Sequence, residues 1–126
     1  MTEKILSEDY EQILFVQWFK RTYPTVKIMS IPNGGHRHIA VAAKMKATGQ
    51  APGVPDLFIP AWICWIEMKR STGGVVSPVQ KDWIAYLKGI GHQVIVGWGF
   101  EDAKRQVLEL NSSLGTNLLT VTQTQA

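Results

Sequence analysis

Apolar residues recur along this chain at two alternating spacings. From Glu8 to about Thr22 the spacing is helical: at about 100° per residue, Tyr10, Leu14, Phe15, Trp18 and Phe19 form one face. Ser7 stands at the cap position, and Glu8 and Asp9 suit the positive end of the helix dipole. Val26–Ile31 is a short β-rich run ended by Pro32, and Asn33-Gly34-Gly35 is a turn signal. Residues 38–48 predict a second helix, stopped by Gly49, and Gln50–Pro55 is a loop. Asp56–Ile59 and Trp62–Lys69 predict strands joined by a tight turn at Pro60-Ala61. The second strand is apolar on both faces until Glu67, as a central strand is. Ser71–Val76 is a glycine-containing loop, and Ser77-Pro78 opens a helix to about Lys88. A strand over Gln93–Trp98 and a helix over Glu101–Leu110 follow, and then a polar tail, 111–126, expected to be partly disordered. The order α-β-α-β-β-α-β-α predicts an α/β architecture, a small mixed sheet flanked by helices.

Composition narrows the class. At 126 residues the length suits a single domain, and 45% apolar residues suffice for a core. No apolar run approaches the roughly 18 residues of a membrane span. One cysteine, Cys64, excludes an internal disulfide and a cysteine-built zinc site. The acidic start, MTEKILSEDYEQ, lacks a signal pattern. Both features point to a reducing, cytoplasmic setting.

The net charge is only +3, but its distribution is uneven. Residues 1–11 carry four acids and one base, and from Asp56 onward acids and bases number six each. Between them, the 44 residues Gln12–Pro55 contain no acid and six bases: Lys20, Arg21, Lys27, Arg37, Lys44 and Lys46. A field of one sign suits a polyanion such as nucleic acid, or is simply a solvated basic face.

Three acidic positions invite chemistry. Glu11 falls within the apolar face of the first helix, where a carboxylate is costly unless it is paired. It either snorkels to the helix start or faces a site that wants negative charge. Asp56 opens a strand, a place where Asp commonly caps a turn. Glu67 and Lys69 close the central strand and share one of its faces. The hairpin sets Asp56 and Glu67 on neighbouring strands. Two carboxylates with a lysine beside them suit a hard divalent cation and a water nucleophile, with the lysine orienting that water or stabilising developing charge. His36 and His38 flank Arg37 without further ligands, so phosphate contact or plain exposure is the reading there. Cys64 alternates into the core and is expected to be inert. The five tryptophans are expected to be mostly core, with Trp98 a candidate for stacking on a base.

Pro55-Asp56 followed by Glu67-x-Lys69 resembles the PD-(D/E)xK nuclease signature. More narrowly, the chain resembles the VRR-NUC family, the virus-type replication-repair nuclease domain. The matching elements are Glu11-Gln12, Ile31-Pro32-Asn33-Gly34-Gly35, Gly53-Val54-Pro55-Asp56-Leu57, Ile66-Glu67-Met68-Lys69-Arg70, Gly73-Gly74, Ser77-Pro78-Val79-Gln80 and Trp83. Together they span about residues 8–110, and it is their order and spacing that make the resemblance specific. The resemblance implies a restriction-endonuclease-like core, with a nuclease domain over 1–110 and the tail over 111–126. It implies a stand-alone, phage-type enzyme that hydrolyses DNA phosphodiesters with Mg²⁺ or Mn²⁺. Asp56, Glu67 and the main-chain carbonyl of Met68 would bind the metal. Lys69 would hold the attacking water, and Gln80 would support the lysine or the phosphate. Glu11 would complete the site, with Glu8, one turn earlier, as its rival. Asn33, Gly34, Arg37, Lys44, Lys46 and Arg70 would contact DNA. The implied substrate is branched DNA, cut in the manner of a Holliday-junction resolvase by a homodimer in a bacterial or phage-infected cell.

Other classes remain alongside. A non-catalytic DNA-binding module with a nuclease fold is one, and the intact Asp56, Glu67 and Lys69 weigh against it. A restriction enzyme would need a specificity domain that this length does not accommodate. A small RNA-binding protein would be expected to show RNP-like aromatic runs or a GxxG clamp.

Overall fold

The computed structural model describes residues 5–32 and 39–114. Among these the elements are α1 (Glu8–Thr22), β1 (Met29–Ser30), α2 (Ile39–Ala47), β2 (Leu57–Ile59), β3 (Cys64–Lys69), α3 (Pro78–Gly89), β4 (Gln93–Trp98) and α4 (Phe100–Leu114), with a 3-10 turn at Pro60–Trp62. The strands form one sheet in the order β1-β2-β3-β4. The first three run antiparallel, and β3 and β4 are parallel, joined by α3 as a crossover.

Alternation along the strands divides the sheet into two unlike faces. Leu57, Ile59, Cys64, Ile66, Met68 and Ile95 point to one side and are buried against Phe15 and Phe19 of α1 and Ala103 and Val107 of α4. Ring contacts among Phe15, Trp18, Phe19, Tyr23, Trp62 and Phe100 fill this side and tie α1 to α4. The opposite face carries Phe58, Trp65, Glu67, Lys69 and the alternate residues of β4. Helix α3 covers its β4 side, opened by a complete capping box between Ser77 and Gln80.

Several boundaries differ from the sequence reading. The run Val26–Ile31 pairs with β2 only through Met29 and Ser30. The β2–β3 connection is a 3-10 turn closed by Ile63 in the left-handed region, so β3 starts at Cys64 and not Trp62. Tyr10 is 49% exposed: the buried arc of α1 centres on Glu11 and Phe15, and Tyr10 lies beyond its edge. Helix α4 runs four residues past the expected end at Leu110, into the segment read as tail. Of the five tryptophans, Trp18 and Trp62 are buried in the core, whereas Trp98 is 41% exposed.

Candidate active site

Strand register brings Asp56 and Glu67 together. The pairs Leu57–Ile66, Phe58–Trp65 and Ile59–Cys64, continued by one residue, set Asp56 opposite Glu67. Side chains so placed lie on one face within roughly 5 Å at Cβ. The ladder changes at this point. The next residue, Pro55, has no N–H to offer Met68, and the Met68 N–H instead donates to the Asp56 carboxylate, 2.8 Å away. A strand residue's N–H and C=O point to the same edge, so the Met68 carbonyl also faces the Asp56 side. The Pro-Asp pair thus ends the ladder and leaves an oxygen-rich notch beside β3.

Glu67 is 1% exposed, and its Oε1 has no hydrogen-bond partner. Burial raises its carboxyl to about 9, with a hydrogen bond and charge repulsion from Asp56 adding to the effect. Lys69 opposes the shift, and the charge of Glu8 contributes to it. A buried carboxylate oxygen without a donor is costly and is the property expected of a group that faces a cation.

Lys69 is 6% exposed and donates from Nζ to Gln80 Oε1, 2.8 Å away. That same oxygen accepts the Ser77 N–H at 2.8 Å as half of the capping box. The element that starts α3 therefore also fixes the lysine. The glycine-containing loop closes over it. A Cβ at Gly74 would stand 2.9 Å from Lys69 Cβ and 3.0 Å from the Arg70 backbone, and the Gly74 carbonyl accepts the Trp98 indole N–H at 3.1 Å. Only glycine permits this approach. Trp98, a candidate for base stacking, anchors this loop by its polar edge.

Glu11 is buried, as its place among the apolar residues of α1 implied, but its carboxylate is directed to a helix end. Oε1 accepts the N–H of Phe100, the first residue of α4, at 3.0 Å. Gly99, at φ +88°, lies against Oε2 and Ser71. The negative charge meets the positive end of the α4 dipole, which offsets the cost of its burial. The expectation paired Glu11 with Glu8 as rivals for the site; the structure places Glu11 against the start of α4, and the charge of Glu8 adds to the raised carboxyl of Glu67.

The remaining candidates are scattered. Lys44 and Lys46 are exposed on α2, and Arg70 is exposed just after β3. Asn33, Gly34, Arg37 and the two flanking histidines lie outside the described residues. Cys64 is fully buried, and burial pushes its thiol up to about 12.

The sequence matches no family model and no curated protein compared with it. The fold does find a relative. Over 85% of its length the chain superposes on 89% of a solved structure described as a VRR_NUC domain protein, with a TM-score of 0.69 and 27% identity. The fold is that of this VRR_NUC domain protein. It is a nuclease-type domain, and the α/β arrangement expected from the motifs is the one observed. No described helix is long and apolar enough to cross a membrane.

Within this domain the sequence reading missed two groups. Phe58 and Trp65 share the face of Asp56 and Glu67, yet Trp65 was absorbed into an apolar run assigned to the core. Strand alternation from Glu67 would have placed it. The capping role of Glu11 had no local signal, since Phe100 is 89 positions away.

Proposed function

We propose that this chain is a metal-dependent endodeoxyribonuclease that hydrolyses phosphodiester bonds in branched DNA, with Mg²⁺ or Mn²⁺ as cofactor. The observation that carries the reading is the buried Glu67 Oε1 without a donor, set beside Asp56 and beneath a lysine held by Gln80.

The donor set fits a hard divalent ion. Among the described residues no three His, Cys, Asp or Glu side chains gather into one cluster. The protein therefore offers Asp56, Glu67 and the main-chain carbonyl of Met68. An all-oxygen set of one or two carboxylates suits Mg²⁺ or Mn²⁺, which otherwise keep water or substrate phosphate as ligands. When bound, such an ion would supply Lewis acidity and neutralise phosphate charge.

The chain's own groups do the rest. Lys69, fixed through Gln80, orients the water that attacks phosphorus or stabilises the charge building on the phosphate oxygens. The bond from phosphorus to the leaving sugar oxygen breaks, and that oxygen takes up a proton. Glu8 is the α1 carboxylate assigned to this site, with Glu11 as the anchor of α4. Arg70 next to the site, Lys44 and Lys46 on α2, and the Asn33, Gly34 and Arg37 segment are assigned to phosphate contact. One chain holds one such site, so symmetric cutting of a four-way junction calls for a homodimer.

The test is cleavage of four-way, flap, nicked and linear DNA with Mg²⁺, Mn²⁺ or EDTA. Cutting of branched DNA that EDTA abolishes and Glu67→Ala removes is expected. DNA binding without cutting under every metal condition would make the chain a non-catalytic binding module.

A further inference from the structure

On the face that carries the carboxylates, the register lines up Met29, Phe58, Trp65 and Val94 as one row across all four strands. This row lies two residues, roughly 7 Å, along β2 and β3 from Asp56 and Glu67. Phe58 and Trp65 are only half-buried, and Met29 is 50% exposed. Among the described residues α3 packs chiefly against β4 and bonds Lys69 of β3 through Gln80.

The two rings are held in place before any ligand arrives. Phe58 and Trp65 have centroids 4.3 Å apart, with their planes 35° from parallel. The Trp65 indole N–H donates to His92 Nδ1 at 2.8 Å, and the two rings lie within 9° of one plane. That bond uses the only donor of the indole. What the row offers a ligand is therefore apolar and aromatic, without hydrogen-bond readout.

We propose that Phe58 and Trp65 form a stacking shelf for one unpaired nucleobase of the DNA, next to the phosphate that is cut. The proposal rests on the nuclease reading for the position of that phosphate, and it adds the basis of structure preference. Stacking on aromatic rings accepts any base, because every base has a π face. The shelf also sits beside the acid-free stretch Gln12–Pro55, which contributes Met29 at its outer end and no charge that would repel a phosphate. In an intact duplex each base is already stacked on its neighbours and cannot reach the shelf. At a flap or branch the base beside the cut is free to do so. The row thus favours branched DNA over linear duplex through one base contact, without a second domain.

The test is binding in Ca²⁺, followed by fluorescence anisotropy on a nicked duplex with a one-nucleotide flap. The flap nucleotide is either adenine or an abasic analogue. With the wild-type protein, removing the base is expected to raise Kd about tenfold. Phe58→Leu should raise Kd for the adenine flap by a similar factor and leave the abasic flap unaffected. Trp65→Phe, which keeps a ring, should show a smaller loss. A 2-aminopurine flap should be quenched on binding the wild-type chain. Equal wild-type affinity for the two flaps overturns the shelf, and this arm needs no variant to fold. So does a Phe58→Leu loss that is the same with and without the base. Cleavage in Mn²⁺ is scored separately: base-dependent binding with no cutting of any DNA would end the nuclease reading and leave the shelf standing.

Discussion

Glu67 couples the stability of this domain to pH. Its carboxyl is raised to about 9 in the folded, metal-free chain, against an ordinary value near 4.5. Between those values the folded state holds a proton that the unfolded state has lost, so stability falls as pH rises. Glu67→Gln removes the titration. The melting temperature of the wild type is therefore expected to drop relative to that of Glu67→Gln from pH 5 to pH 9 in EDTA. Parallel curves for the two proteins would show that Glu67 is not the group responsible. Lys69 and Gln80 act as a pair, since one oxygen holds the ammonium. Lys69→Ala should lower the single-turnover rate by about 10²-fold or more, and Gln80→Ala should lower it less, with metal affinity little changed in both. A Lys69 variant that regains full rate at higher metal concentration would assign the lysine to metal binding instead. Cys64, buried and with its thiol raised to about 12, should react with a thiol reagent only after unfolding.

At the scale of elements, α1 and α4 are joined by one buried capping bond. Glu11 accepts the Phe100 N–H, and Lys104 of α4 lies 5.9 Å from the Trp18 ring centroid. Losing such a cap, with its dipole contribution, typically costs about 1–2 kcal/mol. Glu11→Ala should therefore lower the melting temperature, with any loss of cleavage following from lost folding. Glu8→Gln should do the reverse, reducing cleavage at constant stability. Thermal melts and single-turnover rates measured on both variants decide it. Loss of cleavage at unchanged stability in Glu11→Ala would return Glu11 to the site. The β3–α3 connection is a second such device: its glycines and the Ser77 capping box set the lysine as they start the helix.

For the whole molecule, charge and symmetry set the expectations. DNA binding should weaken steeply with salt, because each phosphate contact releases counterions. A homodimer that makes paired nicks across a four-way junction is expected from one site per chain. A monomer by light scattering at micromolar concentration that still resolves junctions symmetrically would contradict this. A dimer that degrades linear duplex as readily would keep the nuclease and discard the junction preference.

Some of this protein was determined locally. The caps at Ser7 and Ser77-Pro78, the period-two run into Glu67 and Lys69, and the order of the elements follow from spacing between near neighbours, and all stand in the structure. So does the pairing of Asp56 with Glu67, because a short connection leaves a hairpin few registers. Long-range contacts decided the rest. That the Glu11 carboxylate caps the start of α4 depended on Phe100, and no local pattern connects residues so far apart. The helical wheel correctly placed Glu11 in the interior and overcounted Tyr10, because the position of the buried arc is set by what packs on it, here β3 and α4. Trp65 appeared to be core because an apolar run does not say which face of a strand is covered; that depended on where the helices pack, α1 and α4 on the Ile66 face and α3 chiefly against β4. Spacing sets an element and its register, but only packing decides which of its surfaces remain open to a substrate.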